Sequence, residues 1–250
     1  MQLKQLLLEH KDCFALDLLD LKPPIGIEKH QIHTITNVPI QLYAYRKSYS
    51  DREILNEQIQ QMLEAKIIRH SSSPWSFPVV LVGKSDKSKR LCVNYKKLND
   101  ITINDPFPIP LIGDILDRLG SSLWFTDLDL KSGYWQIEMH PNDIPKTAFT
   151  TQDGHFEFLR LPFGLKNAPN DFCRIMAKIL GNLKFVEIYF DNITVHSHDF
   201  ISHLRHILRV FKILRQHNLK LNATKCKWFQ KHIKLLGYMI RQNHVGSRKN

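Results

Sequence analysis

Apolar and polar positions alternate along this chain in two distinct rhythms. From Ser48 to Arg69 the period is helical: Leu55, Ile59, Met62, Leu63 and Ile67 form one stripe, and Ser50 with Glu53 predicts a capping box at its start. Ser71-Ser72-Ser73-Pro74 closes that segment. Two strand-like runs follow, 77–83 (FPVVLVG) and 90–95 (RLCVNY). The charged turn between them, holding Lys84, Asp86, Lys87 and Lys89, predicts a hairpin. After a proline-rich stretch, Ile112, Ile115, Leu116 and Leu119 mark a helix near 110–119. Strands are expected at 123–130 (LWFTDLDL) and 155–161 (HFEFLRL), with a helix from Asn167 to Leu180. The runs 185–190 and 193–197 flank Asp191-Asn192, which is hairpin-turn chemistry. Residues 199–217 read as an amphipathic helix with Leu204, Leu208 and Phe211 on one stripe and Arg205, Arg209 and Lys212 on another. A last strand pair is expected at 233–240. Helices packed on a mostly antiparallel sheet give an α+β class.

Length and composition narrow the classes. The chain has 250 residues, enough for one or two domains, and is 43% hydrophobic and 24% charged, as a globular protein is. Cys13, Cys92, Cys173 and Cys226 lie far apart with no CxxC pair, which speaks against a zinc ribbon or a disulfide framework. Reduced thiols suit a cytoplasmic or nuclear compartment. No apolar run is long enough for a membrane span, so no membrane partner is expected. His196, His198, His203 and His206 straddle a strand end and a helix start and read as satisfied or surface histidines rather than a metal site.

Charge adds a direction. The net charge is +11, yet residues 1–200 hold 23 basic and 24 acidic side chains, while the last fifty hold twelve basic and no acidic ones. Such asymmetry is the footprint of a polyanionic partner.

Two apolar strands end in acids, Asp129 and Asp191. Carboxylates carried on neighbouring strand ends can converge on hard cations, and two Mg²⁺ ions about 4 Å apart are the machinery of nucleotidyl transfer. The strings SSSPWSFPVVLVGKSD, RLCVNYKKLN, FTDLDLKSGYWQI, KTAF, FEFLRLPFGLKNAP, YFDN, LKLNATKC and LLGYMI occur in that order. Together they resemble the reverse transcriptase of gypsy-like long-terminal-repeat retrotransposon Pol polyproteins, over nearly the whole chain.

The resemblance implies a right-hand polymerase fold with an antiparallel palm sheet backed by helices and a fingers subdomain, the thumb being absent. It divides the chain into an N-terminal extension leading into the fingers (1–45), the first part of the fingers (46–120), a palm (121–240) with a fingers insertion around 140–170, and a basic tail (241–250). It implies two Mg²⁺ ions, with Mn²⁺ as a substitute, held by Asp129, the backbone of Leu130, Asp191 and Asn192. Asp127 shares a strand face with Asp129, and a structural role is expected for it. Lys84 and Arg90 would fold over the incoming triphosphate. Tyr134 would be the steric gate against a 2′-hydroxyl. Phe163, Gly164 and Lys166 would line the nucleotide pocket, Lys225 would protonate pyrophosphate, and Leu236-Gly237 would form the primer grip. Implied partners are an RNA or DNA template with its primer, deoxynucleoside triphosphates, and thumb, connection and ribonuclease H regions supplied by a longer polyprotein.

Three positions depart from the family's wording. Asn192 stands where the YxDD motif has its second Asp, Asn94 where Asp is usual, and Lys96 where Arg is usual. An amide oxygen can ligate a cation but brings no charge, so catalysis at Asn192 is expected to be impaired. A catalytically degenerate, reverse-transcriptase-derived nucleic-acid-binding protein is the second reading of the same residues.

Overall fold

The computed structural model describes residues 2–83, 88–108, 111–189, 192–235, 238–241 and 244–247. Helix α1 (Gln2–Glu9) is followed after a long irregular segment by α2 (Tyr49–Glu64). Strands β1 (Ile68–His70), β2 (Phe77–Gly83) and β3 (Lys89–Val93) lead into α3 (Lys96–Ile101) and α4 (Ile112–Gly120). Then come β4 (Trp124–Asp129), β5 (Phe149–Thr150), β6 (His155–Phe158), α5 (Ala168–Leu180), β7 (Val186–Tyr189), β8 (Asn192–Ser197) and α6 (Phe200–Gln216). The described chain closes with β9 (Lys227–Gln230), β10 (His232–Leu235), β11 (Tyr238–Arg241) and β12 (His244–Ser247).

The strands build three sheets, in orders β1-β6-β5-β2-β3, β7-β8-β4-β9 and β10-β11-β12. Every named pairing is antiparallel except the short β2–β5 contact. The expected hairpin of residues 77–95 pairs Val79 with Val93 through Gly83 with Lys89, its turn residues Lys84, Asp86 and Lys87 lying outside the described residues. One continuous core runs through the first two sheets and their helices, with Phe77, Tyr95, Phe149 and Phe172 fully enclosed. A smaller cluster of Ile115, Leu119, Phe125, Ile233 and Ile240 ties α4 and the three-stranded sheet to β4.

Three sequence expectations are corrected. The cap of α2 is Ser48, whose hydroxyl accepts from the Asp51 N–H, rather than a box beginning at Ser50. That helix stops at Glu64 instead of reaching Arg69, because Lys66 turns into the left-handed region (φ 53°) and Ile68–His70 pairs with β6 as a strand. Buried Ile67 thus belongs to the turn out of the helix, although it continues the apolar stripe. On α6 the buried face is His203, Ile207, Val210, Phe211 and Leu214, one step round from the Leu204–Leu208 line. His203 sits wholly inside, where two hydroxyls satisfy it, one of the satisfied histidines expected from sequence. Within the expected tail, 244–247 is a strand paired with β11.

Candidate active site

Along β4 the side chains alternate between two faces. Trp124, Thr126 and Leu128 turn toward α6: Trp124 packs on Phe200, and the Thr126 hydroxyl meets His203 Nε2 at 2.8 Å. Phe125 packs in the α4 cluster on the other face, which Asp127 and Asp129 share. The register then fixes the neighbours. Asp127 pairs with Thr194 and Asp129 pairs with Asn192, while Tyr189 pairs with Asn192 across the β7–β8 hairpin. Asp191, one residue from Asn192, lies outside the described residues.

The two acids on β4 live in different surroundings. Asp127 is largely enclosed, accepts from the Thr194 hydroxyl at 3.0 Å, and has its pKa raised by burial, which the Thr194 bond and the Lys227 charge partly offset. Asp129 is more open, with a side chain 30% exposed and Lys225 Nζ 3.8 Å from Oδ2.

The loop 222–226 holds the backbone of Asp129. The Asn222 N–H donates to its carbonyl at 2.8 Å, and its own N–H donates to Cys226 Sγ at 3.4 Å. Burial pushes the Cys226 thiol up to about 11, so it stays protonated and neutral beside the acid. Below, the buried Gln136 amide donates to the carbonyls of Lys131 and Lys220 at 2.8 Å each and accepts from the Lys220 N–H at 2.7 Å. These bonds pin the turn after β4 to the extended segment at Lys220 that precedes the loop. Cys226, Asn222 and Gln136 were not singled out from sequence, because a backbone clamp needs only a donor or acceptor in place and leaves no motif.

In front of Asp129 opens a cavity of about 780 Å³ lined by Asp129, Leu130, Tyr134, Phe163, Arg90 and Lys225, among others. The aromatic wall is stacked: Tyr134 lies 5.1 Å from Phe163 and 5.3 Å from Phe172, and the Arg90 guanidinium sits 5.1 Å over the Phe163 ring. Gly133 leaves room for this stack, since a Cβ there would meet the Phe172 ring at 3.2 Å. Leu130 is buried and bridges to Leu221.

Not every expected residue reaches that cavity. Gly164 (φ +94°) turns the chain where a side chain would be strained, and its carbonyl accepts from Asn99 Nδ2 at 2.8 Å. Lys166 donates its ammonium to the Thr102 carbonyl at 3.0 Å and is not among the residues lining the cavity. Asn94 bonds Tyr45 and caps the backbone of Lys96, away from the cavity. Lys84, Leu236 and Gly237 lie outside the described residues.

The donor set suits a hard cation. Asp129 and Asn192 offer oxygen, and no thiolate competes because Cys226 is neutral. Among the described residues no group of three or more His, Cys, Asp and Glu side chains could hold a metal by itself. The histidines of the β8–α6 corner engage in hydrogen bonds: Ser122 bonds His196 Nδ1, Ser197 bonds both His203 and His206, and the Ser121 carbonyl meets His198, while the buried His196 Nε2 has no hydrogen-bond partner among the described residues. None of the described helices is long and apolar enough to cross a membrane.

The cleft thus combines a strand-end acid, a lysine and a stacked aromatic wall on an antiparallel sheet backed by helices. Comparison with known proteins is specific. Residues 82–240 match the profile of the family "Reverse transcriptase (RNA-dependent DNA polymerase)", and the chain belongs to that family. It is 40% identical over 224 residues to the retrovirus-related Pol polyprotein from transposon 297 of Drosophila melanogaster, covering 87% of this chain and 21% of that protein. It is 36% identical to the Pol polyprotein from transposon gypsy of the same species, covering 86% and 22%, and 35% identical to the transposon Tf2-7 polyprotein of Schizosaccharomyces pombe, covering 88% and 17%. The chain thus spans about a fifth of the length of these curated relatives. Its fold is that of the foamy viral protease-reverse transcriptase solved with double-stranded DNA (TM-score 0.90, 23% identity, 99% of this chain and 44% of that one). The same protein solved with an RNA/DNA hybrid matches with a TM-score of 0.88 at 22% identity, covering 99% of this chain and 33% of that one. The expected right-hand α+β fold is therefore the observed one. Membership of this family implies dependence on a divalent metal ion.

Proposed function

We propose that this chain is the fingers and palm of an RNA-directed DNA polymerase, with β1-β6-β5-β2-β3 as the fingers sheet and β7-β8-β4-β9 as the palm. The observation that carries the reading is Asp129 on the cavity wall with Lys225 beside it and Asn192 as its register partner on β8. The proposed boundaries are 46–120 for the first part of the fingers and 121–240 for the palm, with an insertion around 140–170 returning to the fingers.

Asp129, the Leu130 backbone, Asp191 and Asn192 would hold two Mg²⁺ ions, for which Mn²⁺ can substitute. When bound, the ions supply charge that activates the primer 3′-hydroxyl and neutralises the leaving pyrophosphate. The protein's own groups do the rest. Arg90, stacked on Phe163, offers a fixed cation to the triphosphate together with Lys84. Tyr134, buttressed by Phe163 and Phe172, presents an aromatic face beneath the sugar and leaves no room for a 2′-hydroxyl. Lys225, an exposed lysine 3.8 Å from Asp129, would give a proton to pyrophosphate. Gly164 and Lys166 shape the loop behind Phe163, and Leu236-Gly237 would hold the primer end. Template–primer and deoxynucleoside triphosphates are the proposed partners, with thumb, connection and ribonuclease H regions contributed by a longer polyprotein.

Asn192 favours a second reading, a protein that keeps nucleic-acid binding without extension. Primer extension by wild type, Asp129→Ala and Asn192→Asp separates them. The polymerase reading expects extension by wild type, its loss by about a thousandfold or more in Asp129→Ala, and a gain in Asn192→Asp as the missing charge returns. Salt-sensitive binding with no extension by wild type supports the second reading instead.

A further inference from the structure

Part of the chain's basic excess lies where the cleft cannot use it. Helix α6 contains four Arg or Lys residues and no Asp or Glu in seventeen positions. Arg215 is tied to Asp12 at 2.6 Å. Arg205, Arg209 and Lys212 stand on the exposed face with no ion pair among the described residues. The acid whose field reaches Arg205 is Asp199, which already caps the helix through the Ser202 N–H at 2.9 Å. Lys184, also exposed, immediately precedes Phe185, whose ring stacks on His206 of α6 at 3.7 Å.

Like charges one turn apart repel, costing about 0.2–0.5 kcal/mol per pair. A helix selected only for solubility would intersperse glutamates. The face is also poor in the apolar and aromatic anchors that protein interfaces favour, Ile201 being its exposed large hydrophobic. Arg205 to Lys212 spans about 10 Å of helix, close to three base-pair steps of one nucleic-acid strand.

The position excludes the cleft as the partner's site. His203 of α6 meets Thr126 on one face of β4, while Asp129 belongs to the other face, so sheet and helix separate the ridge from the site. We propose that Lys184, Arg205, Arg209 and Lys212 form a second nucleic-acid surface on the back of the sheet, which grips phosphate backbone without regard to sequence. A chain carrying both surfaces holds one duplex at the active site and a second segment behind it.

The test titrates a labelled 24-base-pair duplex into protein whose cleft is saturated with an unlabelled short RNA/DNA hybrid. Wild type is expected to take up the second duplex. The variant Lys184→Gln/Arg205→Gln/Arg209→Gln/Lys212→Gln should bind it at least about tenfold more weakly, with a salt slope smaller by about 3. Its primer extension on a short template should equal that of wild type, and its thermal melt shows that it folds. One duplex per wild-type chain, or unchanged second-duplex binding in the variant, overturns the proposal. So does a variant that loses only capture of polyglutamate, which would make the partner an acidic protein. Extension by wild type and uptake of the second duplex are separate readouts, so failure of one reading leaves the other standing.

Discussion

Asn192 pairs with Asp129 across two neighbouring strands, and in the proposed site that amide would set how much charge is offered to a cation. Around that pair, single side chains have roles that can be separated. Tyr134 packs against two aromatic rings on the cavity wall, and the proposed gate rests on its size. Tyr134→Val should raise ribonucleotide use relative to deoxynucleotide by about tenfold or more, read as the ratio of kcat/KM values. An unchanged ratio would remove the gate. Cys226 is a positioning residue, because its sulfur meets the backbone of Asp129 and not the reacting atoms. Cys226→Ala should lower kcat by about tenfold while leaving the KM for nucleotide near wild type, since misplacing the acid slows chemistry more than binding. Cys226→Ser, which keeps a hydrogen-bonding group, should recover part of the loss. At this scale the sequence pointed to residues that line the cavity wherever a motif names them, as with Asp129, Arg90 and Lys225, whose roles are those proposed above. It was silent on Cys226, Asn222 and Gln136, whose work is done through backbone atoms.

Elements were legible where periodicity was long and uninterrupted. The hairpin β2–β3 and the helices α4 and α5 fall where alternation and stripe put them, within a few residues. The end of α2 did not, because Ile67 extends a helical stripe although Lys66 has already left the helix. The face of α6 was misjudged by one step, since a buried histidine looks polar in sequence. That histidine also couples the element to pH. His196 and His203 are lowered from 6.5 to about 4, chiefly by burial, and His206 is lowered as well. Below pH 6.5 the unfolded chain binds protons that the folded one refuses, so stability falls as pH drops from 6.5 toward 4. Each of the two deeply shifted histidines should contribute a loss of roughly 2–3 kcal/mol over that window. Carboxylates held below their usual range, such as Asp12 and Asp171, withdraw their contribution only at lower pH. Denaturant melts at pH 7, 6, 5 and 4.5 check the sign, and His203→Gln should flatten the curve. A curve that rises toward pH 4.5 would contradict it.

For the molecule as a whole, two sheets share one core while a third is fastened through a small apolar cluster, and the cavity opens where β4 and the loop 222–226 meet the stacked wall. The charge asymmetry seen in sequence has two destinations, one at Lys225 beside the acid and one on the back of α6. Composition could announce a polyanion without saying on which side it binds, because parity along β4 decides that and parity needs a register. The whole account depends on Asp129 and Asp191 serving one cation. Iron-directed hydroxyl-radical cleavage tests this without relying on turnover: Fe²⁺ replaces the hard cation, ascorbate drives cleavage, and the broken peptide bonds are mapped. The account predicts paired cuts near residues 129 and 191, both lost in Asp129→Ala and both suppressed by excess Mg²⁺. Cuts at only one of the two positions, or a pattern indifferent to Asp129, would contradict it.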